Sequence, residues 1–481
     1  MNNKFKNYFF IILAGVLLPT IALTQTTLTF TNAASTGQFG PNQTQVNAAY
    51  DGTTLDDAVT INTEGIQEWT VPATGVYTIE VWGAQGGNNG WYPGGKGARM
   101  KGDFTLSAND VLKFVVGQQG YTSDTYRAGG GGGSFVWIDD GALLIVAGGG
   151  GGGGGSSNDS DEHGTTGTAG KAGQSTVTSS YPGGSGGTSG GGGGDGYGGN
   201  GANHAGGGAG WISDGEGSYP GRTKYYFYGG GNYQGGYGGG GGINGSGAGG
   251  GGGYSGGGGG GWAYGSPNSN APGGGGGSYN ENGSNQSNSS GAREGHGQVV
   301  ITYCIGFCFE SIAKAADNSY VDVTFTAGAY NTNGGSGALE TSDFSLTFSR
   351  NSGPATAASI SSIKKNDNTA AGSASALSGG ETVIRMFLNI TGSPAGVETI
   401  LIKPASGSSI YNSGGTAMNA ASSIGSNLND VNGPYITGTT IPSTNATVAV
   451  TFSEAAYNTN GGSGALEASD FALSISGGAA T

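Results

Sequence analysis

Charge is scarce in this sequence. Asp, Glu, Lys and Arg together make up 10% of 481 residues, and 31 acidic against 17 basic side chains leave a net charge of −14. An average globular chain carries about 25% charged residues. So little Lys and Arg excludes nucleic acid and anionic membrane as partners, because both demand clustered positive charge. Two cysteines and three histidines are too few for a zinc centre rich in thiolate and imidazole. After the N-terminus no apolar run reaches the roughly 20 residues of a spanning helix. The nearest, Val299 to Phe309, reads as a strand.

Catalytic motifs are missing as well. There is no VAIK-like strand, HRD loop or DFG, which removes the machinery of phosphoryl transfer. No HExxH and no nucleophile elbow occurs. Gly90-x4-Gly95-Lys96 imitates a phosphate-binding loop, but Gly97 stands where a Ser or Thr should ligate magnesium. His163, His204 and His296 are scattered. Asp159, Asp161, Glu162 and His163 form the densest polar cluster, read as a solvated loop with a metal site as the sharper alternative. The chain is expected not to be an enzyme, and no cofactor is expected.

What is abundant is glycine, 109 residues of it. Runs of five to eight recur at Gly129–Gly133, Gly148–Gly155, Gly190–Gly194, Gly238–Gly242, Gly249–Gly253, Gly256–Gly261 and Gly273–Gly277. Glycine loses more backbone freedom on folding than any other residue, so such runs stay disordered or need dense main-chain hydrogen bonding. The disordered reading is a Gly/Ser linker. The ordered reading is a bundle of polyglycine II helices, three residues per turn, bonded side by side at spacings that a β-carbon would prevent. Interspersed Tyr and Trp, with aromatics at 10% overall, argue for order. Trp211, Tyr225 to Tyr228, Tyr254 and Trp262 are placed to flank such a bundle.

Strand patterns bracket the glycine region. Tyr77 to Trp82 alternates with period two, Val111 to Val116 repeats the pattern, and Ser134–Ile138 and Leu143–Ala147 flank a turn at Asp139-Asp140-Gly141. Gln298 to Tyr303 gives another strand beyond it. One β-sandwich with a glycine excursion is the economical reading.

At the N-terminus, Lys4 and Lys6 precede an apolar core from Tyr8 to Leu18, and Ala22-Leu23-Thr24 supplies a small-residue site before Gln25. This is the pattern of a secretory signal, residues 1–24; a membrane anchor would need a longer core. Export permits a disulfide between Cys304 and Cys308, whose spacing is not that of redox or zinc motifs; two plain thiols are the other reading.

Past Phe309 glycine thins. Ala329 to Glu340 recurs letter for letter as Ala456 to Glu467, 127 residues further on, with matching flanks at Val321 to Phe325 and Val448 to Phe452. Short strands and Gly/Asn turns in a unit of this size signal an immunoglobulin-like sandwich. The second copy holds only its first strands by Thr481, and half a sandwich cannot bury a core, so further chain is expected beyond it. Asn429, Asp430 and Asn432, between the copies, are weak calcium candidates, with an ordinary turn preferred.

Several words now occur in order: Phe39-Gly40-Pro41, Gly65 to Pro72, Gly83-Ala84-Gln85-Gly86-Gly87, Val116-Gly117-Gln118-Gln119-Gly120, Leu144 to Gly148 and Glu294-Gly295-His296-Gly297. Across about residues 36–303 they make this region resemble the glycine-rich extracellular domain of the anaplastic lymphoma kinase and leukocyte tyrosine kinase receptors. The resemblance implies a sandwich of tumour-necrosis-factor type carrying polyglycine helices. The family's extracellular cysteines, its epidermal-growth-factor-like module and its kinase have no counterpart here. The later repeats resemble bacterial immunoglobulin-like domains.

The expected organisation is a signal peptide at 1–24 and a glycine-rich receptor-like domain at 25–309, with its glycine insertion at about 128–297. One immunoglobulin-like repeat at 310–435 and a partial one at 436–481 follow. The class is all-β. The expected role is a secreted or cell-surface binding or structural head on an immunoglobulin-like stalk, for adhesion or scaffolding. Its partner would be an extracellular protein, a glycan or another copy of itself. The alternatives are the targeting region of a larger secreted enzyme and a receptor ectodomain.

Overall fold

The computed structural model describes residues 25–90, 92–122, 128–154, 160–175, 181–197, 205–223, 226–231, 234–243, 247–262, 271–434, 436–442, 447–459 and 463–472. The signal peptide reading at 1–24, Asp159 and His204 lie outside the described residues. The chain is nearly all β. Its first elements are β1 (Gln25–Phe30), α1 (Gln43–Tyr50), β2 (Thr60–Thr63), β3 (Ile66–Thr70), β4 (Gly75–Trp82), β5 (Gly97–Leu106), β6 (Val111–Val115), β7 (Ser134–Ile138), β8 (Leu143–Ala147), β9 (Ser289–Arg293) and β10 (Gln298–Cys304).

They form two five-stranded antiparallel sheets, ordered β1-β10-β4-β5-β9 and β2-β3-β6-β7-β8. Both sheets feed one core: Leu28, Ile79, Val81 and Ile301 from the first, Leu112, Phe114, Val136 and Ile145 from the second. In β4 the buried Tyr77, Ile79 and Val81 alternate with half-buried Thr78, Glu80 and Trp82, the pattern of a sheet with one covered face. β8 differs, with Leu144 to Ala147 buried without a break. Its second face is covered too, by an aromatic cluster in which Phe135, Trp137 and Val146 meet Phe227 and Tyr237. That continuous apolar run therefore marks a strand buried on both sides.

The glycine excursion leaves after β8. β9 lies inside the span 128–297 read as insertion, and pairs with β5 before the chain enters β10. Beyond β10, the sulfurs of Cys304 and Cys308 are bonded, with Cα atoms 6.4 Å apart. β11 (Phe309–Lys314), β12 (Tyr320–Ala329), β13 (Phe344–Ser349), β14 (Ala357–Lys364), β15 (Glu381–Thr391), β16 (Thr399–Pro404) and β17 (Ile424–Asn427) follow. They form sheets β11-β12-β15-β14 and β13-β16-β17 around a core that includes Val321, Val323, Phe325, Ile384, Phe344 and Ile402. Arg385, almost buried, donates to both carboxylate oxygens of Asp322 at 2.7 and 2.6 Å and lies 3.7 Å from the Tyr320 ring centre. Last come β18 (Ile436–Thr440) and β19 (Ala449–Phe452), paired only with each other among the described residues.

Candidate binding site on the glycine bundle

The glycine runs bond with a period of three. Gly129 and Gly132 donate to Tyr121 and Gln118, Gly130 and Gly133 to Gly241 and Gly238, and Gly131 to Gly150. Residues three apart thus serve the same neighbouring segment, and the three residues of a turn serve three different neighbours. Gly149 and Gly152 donate to Gly252 and Gly249, while Gly150 and Gly153 reach Ala84 and Gly87. In the run from Gly256, Gly256 and Gly259 donate to Gly191 and Gly194, Gly257 and Gly260 to Gly251 and Ala248, and Gly258 and Gly261 to Lys171 and Gln174. This is the connectivity of packed polyglycine II helices, in which each chain has several bonded neighbours.

Close packing explains the composition. A β-carbon on Gly130 would fall on the carbonyl oxygen of Gly250, one on Gly149 on that of Gly131, and one on Gly257 on that of Gly274. Two loops of the sandwich also join the bundle, Ala84–Gly87 after β4 and Gln118–Tyr121 after β6. Hydrogen bonds alone do not order it. Fixing a backbone residue costs about 1–2 kcal/mol, and a hydrogen bond returns a net ~1 kcal/mol. The aromatic cluster on the outer face of the second sheet supplies further stabilisation: Trp211 and Phe227 pack on Phe135 and Trp137 with ring centres 4.9–6.0 Å apart, and Tyr237 stands edge-on to Phe227 at 6.5 Å.

Phe227 is the exceptional residue of that cluster. Its φ of 52° is in the left-handed region, unfavourable for a bulky side chain, yet its ring is 1% exposed. The backbone is held there by Gly238 and Gly239, whose amides both donate to the Phe227 carbonyl. Turning Phe227 inward leaves Tyr226, 60% exposed, and half-buried Tyr228 on the outer surface. Beside them is a pocket of about 220 Å³ lined chiefly by Gln38, Phe39, Ser218, Tyr219, Arg222 and Tyr228.

The pocket walls are pinned through main-chain atoms. The Gln38 carbonyl accepts from Gly229, the Tyr219 carbonyl from Gly242, and the Tyr228 carbonyl from the Arg222 amide at 2.8 Å. The Phe39 carbonyl accepts from Gln118 Nε2 and Ser35 Oγ, both at 3.0 Å. The Phe39 ring, 45% exposed, stands edge-on to Tyr228 with centres 4.9 Å apart. Arg222 Nη1 donates to Asp214 Oδ2 at 2.7 Å.

The residues singled out from the sequence fall elsewhere. Asp161 pairs with Lys171 at 3.1 Å, Glu162 is buried, and His163 Nδ1 accepts from the Lys96 amide at 3.0 Å. The loop resembling a phosphate cradle belongs to the bundle, for Gly95 donates to Gly151; Lys96 pairs with Glu294 at 2.8 Å and holds that carboxyl below its ordinary value. His296 Nδ1 accepts from the Gln119 amide at 3.1 Å; burial, and secondarily Arg293, lowers its pKa. Asn429 Nδ2 donates to Ala315 at 2.9 Å and its amide to Asn318 Oδ1 at 2.8 Å, while Asp430 Oδ1 accepts from the Asn432 amide at 3.0 Å. Asn429 is thus tied to the Ala315–Asn318 segment, and only the Asp430–Asn432 contact is local. Among the described residues no group of three or more His, Cys, Asp or Glu is placed to hold a metal.

Of the pocket, sequence reading had Tyr228, in the run Tyr225 to Tyr228 whose Tyr225 lies outside the described residues, and the word containing Phe39. As site residues it missed Gln38, Ser218, Tyr219 and Arg222; the fold brings the segment 218–222 beside Gln38 and Phe39. The available signal was that the aromatics sit in short gaps between glycine runs.

No protein-family model matches the chain. It is similar to the leukocyte tyrosine kinase receptor of Mus musculus, with 34% identity over 97 residues, 19% of this chain and 11% of the receptor. The match thus spans about a tenth of that relative's length. It amounts to a distant, partial resemblance. No helix among the described residues is long and apolar enough to cross a membrane.

Proposed function

We propose that this chain is a non-enzymatic, secreted or cell-surface protein whose glycine bundle is a rigid binding head carried on immunoglobulin-like repeats. Its role on this reading is adhesion or scaffolding. The observation that carries it is the three-residue bonding period of the glycine runs. That period turns loops that would otherwise be mobile into a stiff platform, and the exposed Phe39 and Tyr226 and the half-buried Tyr228 are mounted on it. Rigid aromatics lose little conformational entropy on contact with a partner, and interfaces favour them for that reason. The signal-like N-terminus and the partial similarity to a receptor support an extracellular setting. The same similarity supports a second reading, the ectodomain of a receptor. The targeting region of a larger secreted enzyme is the remaining alternative.

Hydrogen exchange on the full chain tests the platform. The amides of Gly131, Gly252 and Gly258 should exchange orders of magnitude more slowly than that of exposed Gly433. Random-coil exchange in the bundle would overturn the reading. Screening the same protein on extracellular protein and glycan arrays tests the binding role, which is lost if neither yields a partner.

A further inference from the structure

We propose that the pocket between Phe39, Tyr219 and Tyr228 receives the ring of a neutral saccharide. This deepens the binding-head reading and rests on it. A volume of about 220 Å³ lies below the usual 300–1,000 Å³ of drug-sized sites and suits a single ring. The lining carries three aromatic rings and no Leu, Ile, Val or Met. A sugar presents a face of polarised C–H groups that lies on an aromatic ring, and a rim of hydroxyls that needs donors and acceptors. Both are supplied here, the first by Phe39, Tyr219 and Tyr228, the second by the Gln38 amide, the Ser218 hydroxyl and the Arg222 guanidinium.

Charge selects within the class. Arg222, the one cation among the lining residues, is paired with Asp214 at 2.7 Å. An acidic sugar would find no free positive charge among these lining residues and gains nothing over a neutral one. The strained Phe227 fits the same assignment. Backbone strain persists where the surrounding structure enforces it, and here it sets Tyr226 and Tyr228 outward beside the pocket.

The test uses the full-length chain on an array of neutral, sialylated and sulfated oligosaccharides, followed by titration of the best neutral binder. Wild type should bind neutral oligosaccharides, with acidic ones no tighter. Phe39→Ala and Arg222→Gln should each weaken binding at least tenfold with an unchanged melting temperature, while Tyr457→Ala, an exposed aromatic in the second repeat, should bind as wild type does. Binding that survives both pocket substitutions, or that requires acidic groups, overturns the proposal. Capture of a protein ligand with no saccharide bound also overturns it but leaves the binding head standing. Absence of any ligand, with freely exchanging bundle amides, removes both.

Discussion

Gly131 donates its amide to the carbonyl of Gly150 at 2.8 Å, and a β-carbon on Gly149, one residue earlier, would fall on the carbonyl oxygen of Gly131. Bonding and exclusion thus act between the same two runs. The chains approach closely enough to bond because nothing but hydrogen projects between them.

Alanine should therefore be far more damaging inside the bundle than elsewhere. Gly130→Ala and Gly251→Ala drive a methyl onto the carbonyl oxygens of Gly250 and Gly149, and each should cost about 1–3 kcal/mol, the usual range for overpacking, or more. Gly372→Ala meets open space and should stay within about 0.5 kcal/mol. Calorimetric unfolding of the three variants checks this, and equal losses would refute the packing argument.

Tyr237 makes a different case. Its ring is fully buried and its hydroxyl has no hydrogen-bond partner among the described residues, with burial raising its pKa well above the usual phenol value. Tyr237→Phe removes an unpaired polar atom, so stability should hold or rise by up to about 1–3 kcal/mol. A clear loss in chemical denaturation would show that the hydroxyl is bonded in solution, for instance to water.

His296 predicts a pH dependence. Its neutral imidazole accepts from the Gln119 amide, and burial, then Arg293, depresses its pKa in the folded chain. The unfolded chain takes up that proton near the ordinary value of about 6.5, before the folded chain does. The contribution is thus complete above about pH 6.5 and declines as pH falls towards the depressed folded value. Wild type should lose more stability than His296→Gln between pH 7.5 and 5.5, and parallel pH curves would contradict this.

The bond between Cys304 and Cys308 closes a loop of a few residues between β10 and β11. Loop-closure entropy assigns such a short ring roughly 2 kcal/mol. The double Cys304→Ser, Cys308→Ser variant should lose about that much, read as a lower melting temperature under non-reducing conditions. An unchanged melting temperature would mean the crosslink adds no stability.

Much of the fold is legible in the sequence because its signals are local. Alternation in Tyr77 to Trp82 reports a half-covered strand, and the glycine runs report backbones at contact distance. The pocket is not legible in the same way. Gln38 lies 180 residues before Ser218 (218 − 38), and no common pattern links it to the segment of Ser218 and Arg222. Nor does any local rule announce that Phe227 adopts a positive φ.

The two repeats show what the sequence settles by itself. Identical residues produce identical local geometry: Thr332 bridges Ser336 as Thr459 bridges Ser463, and Asp343 caps the Glu340 amide at 2.8 Å as Asp470 caps Glu467. Burial is not settled so locally: Ile145 and Val146 are neighbours in β8, yet Ile145 joins the core between the two sheets while Val146 is covered by the cluster that contains Phe227 and Tyr237. Turns, caps and strand periodicity rest on contacts a few residues apart, so the sequence settles them alone. Burial, the aromatic pocket and the order of the glycine bundle depend on surfaces brought from distant parts of the chain, and only the assembled fold supplies those.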